Sequence, residues 1–369
     1  MILDKNLNIN IKSFFYGLTF SLLLAVMSQY LSLYFGALFF GLEKSPISPI
    51  LVALLLGILL GNQFDIQSRS LSGLQFCMKQ VLRFGIILMG IRLGLLEIIN
   101  YGLKSLTVVV PCIIITIIVA KIISDRFGLN SRVSSLIAVG TSICGASAII
   151  AYAPTISAKK NEVVFAVANI TLFGIIAMFL YPIIANFLFA TDSISVGIFL
   201  GASIHETAQV VGAGMMHSQQ YSQAEVLEVS TLTKLVRNTA MIFVIPYMAY
   251  QNSSQLKRGS IILQIKSIFP FFILGFIGFG ILRTLGDIGI NKTGLAFGIA
   301  NSSDWESLIN HVVSLSKFSL VVAMSAIGLS TDMRSFKSIG INVFYFGFVI
   351  SFLVGLLSLV LIFLFIQRG

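Results

Sequence analysis

Long apolar runs separated by short polar breaks constrain this chain more than any other feature. Eleven runs qualify, at about residues 14–34, 47–61, 83–103, 105–124, 132–157, 162–188, 194–217, 226–249, 266–285, 307–329 and 340–366. About 20 apolar residues suffice for a helix to cross the hydrocarbon core of a bilayer. Only 10% of the 369 residues are charged and 57% are hydrophobic, against about 25% charged in ordinary soluble domains. So few charges cannot cover the surface of a soluble protein. The runs predict an all-α, polytopic membrane protein of about 10–11 transmembrane helices.

No linker or hydrophilic block is long enough for a second domain, so residues 1–369 read as one integral membrane domain with short loops. Residues 1–13 read as a cytoplasmic N-terminal segment, and residues 68–82 (SRSLSGLQFCMKQVL) as an interfacial amphipathic helix before the third run. The first run is too long for the apolar region of a signal peptide, about 7–15 residues, and reads as a retained span. The net charge of +10 would suggest a nucleic-acid partner in a soluble chain. In a membrane it orients the chain: Lys5, Lys12, Arg126 and Arg132 fall on the N-terminal side, against Lys44, Lys159 and Lys160 opposite. More loop cations lie on the N-terminal side, which predicts a cytoplasmic N-terminus, with the bilayer and no nucleic acid as partner.

Enzyme chemistry is not expected. There is no H-E-x-x-H, G-x-S-x-G or Walker loop, and Ser203 and His205 on one helix would point in different directions. Cys77, Cys112 and Cys144 form no C-x-x-C pair and have no His at metal spacing, so they read as buried small residues. No cofactor and no metal site are expected.

Polar residues inside the runs carry the functional reading. The run 83–103 is centred beside Arg92, 194–217 between His205 and Glu206, 226–249 between Arg237 and Asn238 with Lys234 a turn earlier, and 307–329 beside Lys317. An ionisable group at mid-bilayer costs about 2.5–3.5 kcal/mol, so this set costs on the order of 15 kcal/mol. Such groups are expected to face one another around a polar cavity. A closed salt-bridge network locking helices together is the plain structural alternative. On this count, however, Arg92, Lys234, Arg237 and Lys317 oppose Glu206 alone, with His205 able to titrate. An unbalanced positive cavity suits an anion.

Two Gly/Ser-rich stretches lie beside these charges: Gly140-Thr141-Ser142-Ile143-Cys144-Gly145-Ala146-Ser147, and Gly201-Ala202-Ser203-Ile204-His205-Glu206-Thr207-Ala208-Gln209. Gly permits unwinding, and hydroxyls satisfy the freed backbone groups. Unwinding would aim the N-terminus of a half-helix into the core, where its N–H groups attract anions. Close helix packing through small residues is the alternative for each stretch. The two stretches resemble each other, yet the run count puts them in parallel spans, so either the count is off by one or the likeness is convergent. A second similarity relates residues 82–98 to 316–333, with Arg83 matching Lys317 and Gly94-Leu95 matching Gly328-Leu329. Seven spans separate those segments, as in an inverted-topology repeat.

The segments Gly140–Ile150 (GTSICGASAII), Ser203–Gly214 (SIHETAQVVGAG), Lys234–Arg237 and Lys317–Leu329 together resemble the YeiH-like sulfate exporter family of bacterial inner-membrane proteins. The resemblance runs from about residue 14 to the C-terminus. It implies a relationship to cation/proton antiporter and bile-acid-symporter-like transporters, with an inverted repeat and crossing discontinuous helices. It also implies an inner-membrane location and transport of an anion. Thr207, Gly212 and Ser147 stand where members of that family often carry Val, Ala and Ala, which leaves the exact substrate open.

The expectation is a secondary active transporter for a small anion such as sulfate or an organosulfonate, exporting it by alternating access. Gly140, Thr141, Ser142, Cys144, Gly145, Ser147, Ser203, His205 and Gln209 would form the substrate site, with charge from Lys234, Arg237, Lys317 and Arg92. Glu206 would couple transport to a proton, with sodium as the alternative ion. An anion channel and a non-transporting scaffold or sensor stay open, as does a homodimer.

Overall fold

A bilayer offers no water to backbone N–H and C=O groups, so each apolar run must close its hydrogen bonds as a helix. The computed structural model, described over residues 11–40, 48–64, 66–252, 270–334 and 340–367, is accordingly an all-α polytopic membrane protein. Among the described residues, seven helices are long and apolar enough to cross a membrane. The other expected runs are one short helix and three broken ones. Most of the N-terminal segment 1–13, through residue 10, and the loop cations Lys44, Lys257, Arg258, Lys266 and Lys337 lie outside the described residues.

Helix α1 (Ile11–Phe40) is followed by the short α2 (Pro49–Gln63), whose N-cap Ser48 accepts a hydrogen bond from the Ile50 amide. Next come α3 (Ile66–Phe76), a π-helical turn at Cys77–Val81, and α4 (Leu82–Met89), which tightens into a 3-10 turn at Gly90–Arg92. Residues 68–82 run on continuously into the helical segment that ends at Arg92. One expectation is corrected here. The third span ends at Arg92 rather than being centred on it, and Leu93 is extended. The physical reason is a helix start at Gly94, where the Glu97 carboxylate accepts from the Gly94 amide at 2.8 Å. From there α5 (Leu95–Ser124) runs unbroken through Pro111, across the expected boundary between 103 and 105.

The first broken helix is α6 (Ser131–Ser142) and α7 (Ala146–Tyr152), followed by α8 (Lys160–Phe189). The second is α9 (Ser193–Ser203) and α10 (Thr207–Gln220). Helices α11 (Glu225–Thr239) and α12 (Met241–Asn252) meet at Ala240. Helix α13 (Phe272–Thr293) leads through a two-stranded hairpin, β1 (Leu295–Ala296) and β2 (Ala300–Asn301), to α14 (Ser302–Ser330), and α15 (Ile341–Phe365) follows.

Helix α14 packs on α2, α4 and α1, and α11 packs on α9, α10 and α5. The α2–α14 contact needs glycine, since a Cβ on Gly57 would meet the Gly328 Cα at 2.9 Å. The similar segments 82–98 and 316–333 lie against each other, with Ser316 donating to the Gly85 carbonyl at 2.7 Å. Their matched glycines differ in use: Gly94 begins α5, while Gly328 lies inside the end of α14. The shorter similarity marks equivalent places, because Ile143 and Ile204 are the first residues past α6 and α9.

Candidate functional site

The two breaks form because their residues leave helical space. Ile143 adopts φ −122° and ψ −90°, and Gly145 adopts φ 68° and ψ −131°, a conformation that suits glycine. The Gly145 amide returns to the Gly140 carbonyl at 2.9 Å. In the second break Ile204 and Glu206 are extended. Each break leaves the carbonyls at the end of one half-helix and the amides at the start of the next without intrahelical partners.

Two buried cations of α11 satisfy the carbonyl ends. The Lys234 ammonium donates to Ile143 O at 2.9 Å, to Ile204 O at 2.8 Å and to His205 O. The Arg237 guanidinium donates to Ser142 O at 2.8 Å, to Ala202 O at 2.6 Å, to Ile204 O at 3.2 Å and to Thr141 O. Both side chains are buried. They bind the C-terminal ends of α6 and α9 to each other through α11. Each such end carries roughly half a negative charge. The carbonyl dipoles of the two ends therefore offset about half of the positive charge that Lys234 and Arg237 bring to this point.

Glu206 occupies the opposite pole. It precedes α10, and its carboxylate accepts from the Thr171 hydroxyl of α8 at 3.2 Å and from the Ala146 amide at the start of α7. A Cβ on Gly145 would come within 2.5 Å of the Glu206 Cγ, so the glycine makes room for the carboxylate. Gln209 bridges this pole, accepting from the Glu206 amide at 3.2 Å and donating to Thr171 O at 3.3 Å. Asn238 donates to the Thr207 hydroxyl at 3.1 Å, and its own carbonyl oxygen is buried without a hydrogen-bond partner. Glu206, Thr207 and Thr171 are partly exposed and Ser147 is exposed, so the carboxylate pole is the open side of the crossing.

The remaining expected residues take supporting positions. The Ser142 and Ser203 hydroxyls are used within their own helices, donating to Ala138 O at 2.6 Å and Phe199 O at 2.5 Å. Gly140 lies against Ile149 and Ile170, and the Thr141 hydroxyl is buried without a hydrogen-bond partner. Cys144 is buried with its sulfur 3.1 Å from that of Met241. His205 is buried, its Nε2 2.8 Å from the Ser351 hydroxyl of α15. Among the described residues no group of three or more His, Cys, Asp or Glu side chains is placed to hold a metal ion.

Arg92 and Lys317 are not brought to the crossing. Both line a separate cavity of about 730 Å³ between α13 and α14. Arg92 forms an ion pair with Glu228 of α11, whose side chain is only 2% exposed. Glu228 is a second buried carboxylate that counting charges at span centres missed, because it lies near the start of its run. The signal available was Glu225-x-x-Glu228, two carboxylates a turn apart entering an apolar helix. Glu225 accepts from Tyr101 of α5 and Ser193 of α9.

A family model described as conserved hypothetical protein 698 matches residues 16–347. A "UPF0324 membrane protein" of Fusobacterium nucleatum is 32% identical over 330 residues, covering 87% of this chain and 91% of that protein. One from Streptococcus pneumoniae is 31% identical over 317 residues, covering 86% and 87%. One from Rhizobium meliloti is 31% identical over 339 residues, covering 91% and 87%. No solved structure matches the chain.

Proposed function

This chain belongs to the membrane-protein family described as conserved hypothetical protein 698, and we propose that it is a secondary active transporter of a small anion, coupled to protons through Glu206. The observation that supports this most is the position of Glu206, partly open and placed at the amide ends of both broken helices. An ionised carboxylate there holds the Thr171 hydroxyl and the Ala146 amide itself. Once protonated it releases them, and these donors, beside the first turn of α10, become available to an external anion. Proton and anion then bind together, while anion and carboxylate charge exclude each other.

In this reading Lys234 and Arg237 hold the breaks open and do not touch the substrate. Sulfate and organosulfonates remain the leading candidates. Alternating access would move the crossing against the helices packed around it. The cytoplasmic N-terminus, the inner-membrane location and the export direction belong to the same proposal.

Proteoliposomes loaded with radiolabelled sulfate or methanesulfonate test it. An imposed pH gradient should drive flux in the native protein and leave a Glu206→Gln protein without gradient-driven flux. Flux that follows a sodium gradient instead would replace the proton by sodium. Gradient-driven flux that survives in Glu206→Gln, or conductive flux without coupling, would overturn the reading.

A further inference from the structure

The cavity between α13 and α14 is not used by the crossing. Its α14 wall is one helical face: Ser302, Trp305, Glu306, Ile309, Asn310, Val313 and Lys317 follow at steps of three or four. From Ser302 to Lys317 that face descends about 22 Å at 1.5 Å per residue. The α13 wall is likewise one face, Arg283, Asp287, Ile290 and Asn291. Asp287 is already used, accepting from Arg283 Nε at 2.6 Å and from the Trp305 indole at 2.9 Å. Glu306 lines the same cavity, about 16 Å of helix rise from Lys317.

The floor differs from the walls. Arg92 and Lys317 meet there, and Glu228 lies behind Arg92, close enough for the three charges to interact. Two cations thus face one carboxylate. Among the described residues, no carboxylate lies within 4 Å of Lys317, which is exposed to the cavity. Glu228 is buried, and neither of its oxygens has a hydrogen-bond donor beyond the Arg92 ion pair. A guanidinium and an ammonium lining one polar cavity match the charge of a tetrahedral oxyanion.

We propose that the floor formed by Arg92 and Lys317 binds a small free oxyanion, sulfate or a sulfonate, in competition with Glu228 for the Arg92 guanidinium. The site is a loading station distinct from the helix breaks. α11 connects the two, since Glu228 lies six residues before Lys234 on that helix. Binding here needs no transport, so its failure leaves the Glu206 reading standing, and a transport failure leaves this site standing.

The test places a thiol in the cavity. Asn310→Cys puts one on the exposed α14 face, while Cys77, Cys112 and Cys144 are buried and serve as the unlabelled background. The labelling rate of purified protein by a small neutral thiol reagent is followed against sulfate at constant ionic strength. Sulfate should slow labelling in a saturable way. Adding Lys317→Met should raise the sulfate concentration needed by about tenfold or more, as expected for one lost charged hydrogen bond. The pair Arg92→Gln with Glu228→Gln, which leaves no unpaired buried carboxylate, should do the same. No protection by sulfate, or equal protection with Lys317→Met, would overturn the proposal. Protection by phosphatidylglycerol in the micelle and not by sulfate would assign the floor to a lipid headgroup and overturn it as well.

Discussion

Replacing Lys234 by Met tests the reassignment of the central cations from substrate ligands to helix caps. The substitution keeps the length of the side chain and removes the donor to three buried carbonyls, Ile143 O, Ile204 O and His205 O. A hydrogen bond from a charged donor contributes about 1.5–3 kcal/mol, so three amount to about 4–9 kcal/mol. Within a helix the carbonyls would find other donors, but at the breaks only Ile204 O keeps one, Arg237 at 3.2 Å. The loss is comparable to the whole stability of a typical domain, about 5–15 kcal/mol. At about 2 °C per kcal/mol, even the lower end moves Tm by about 8 °C. Size-exclusion chromatography of detergent-solubilised protein after a series of heating steps reads this directly. Lys317→Met is the control, because that side chain is exposed, and its Tm should stay within about 1–2 °C of the native value. A Lys234→Met protein as stable as the native one, with weakened anion binding, would refute the capping argument and return Lys234 to the substrate site.

Other outcomes follow from the same geometry. Gly145→Ala puts a side chain into a glycine conformation at a cost of about 1–3 kcal/mol and pushes into the Glu206 Cγ, so it should lower Tm modestly and abolish gradient-driven flux. Arg92→Gln should lower Tm by leaving Glu228 buried and unpaired, and adding Glu228→Gln should restore most of that loss in a double-mutant cycle. Ser351→Ala removes the hydroxyl 2.8 Å from His205 and should cost about 1 kcal/mol, read as a small Tm shift with the proton dependence of flux retained.

Much of the architecture was legible in the sequence because hydropathy reports the solvent a helix is built for. The two breaks were legible because runs such as Gly140–Ser147 combine unwinding with hydroxyls to satisfy the freed backbone. The end of the third span was misplaced because Leu93-Gly94-Leu95-Leu96 is as apolar as its surroundings. Only the Gly94–Glu97 capping contact marks the new helix. The roles of Lys234 and Arg237 were out of reach of a charge count. Their partners are backbone carbonyls, whose partial charge exists only once the helices are broken and brought together. Glu228 escaped for a related reason: a carboxylate near a span end reads as interfacial until packing buries it beside Arg92.

The claim that an anion and the ionised Glu206 compete for the same donors is tested most directly by proton counting. Sulfate, or whichever anion supports flux, is added to purified protein in weakly buffered solution near neutral pH, and the pH change is recorded. The account predicts uptake of up to about one proton per chain on anion binding, as linkage between the two ligands requires, and none in the Glu206→Gln protein. Anion binding without proton uptake, or equal uptake in Glu206→Gln, would contradict it.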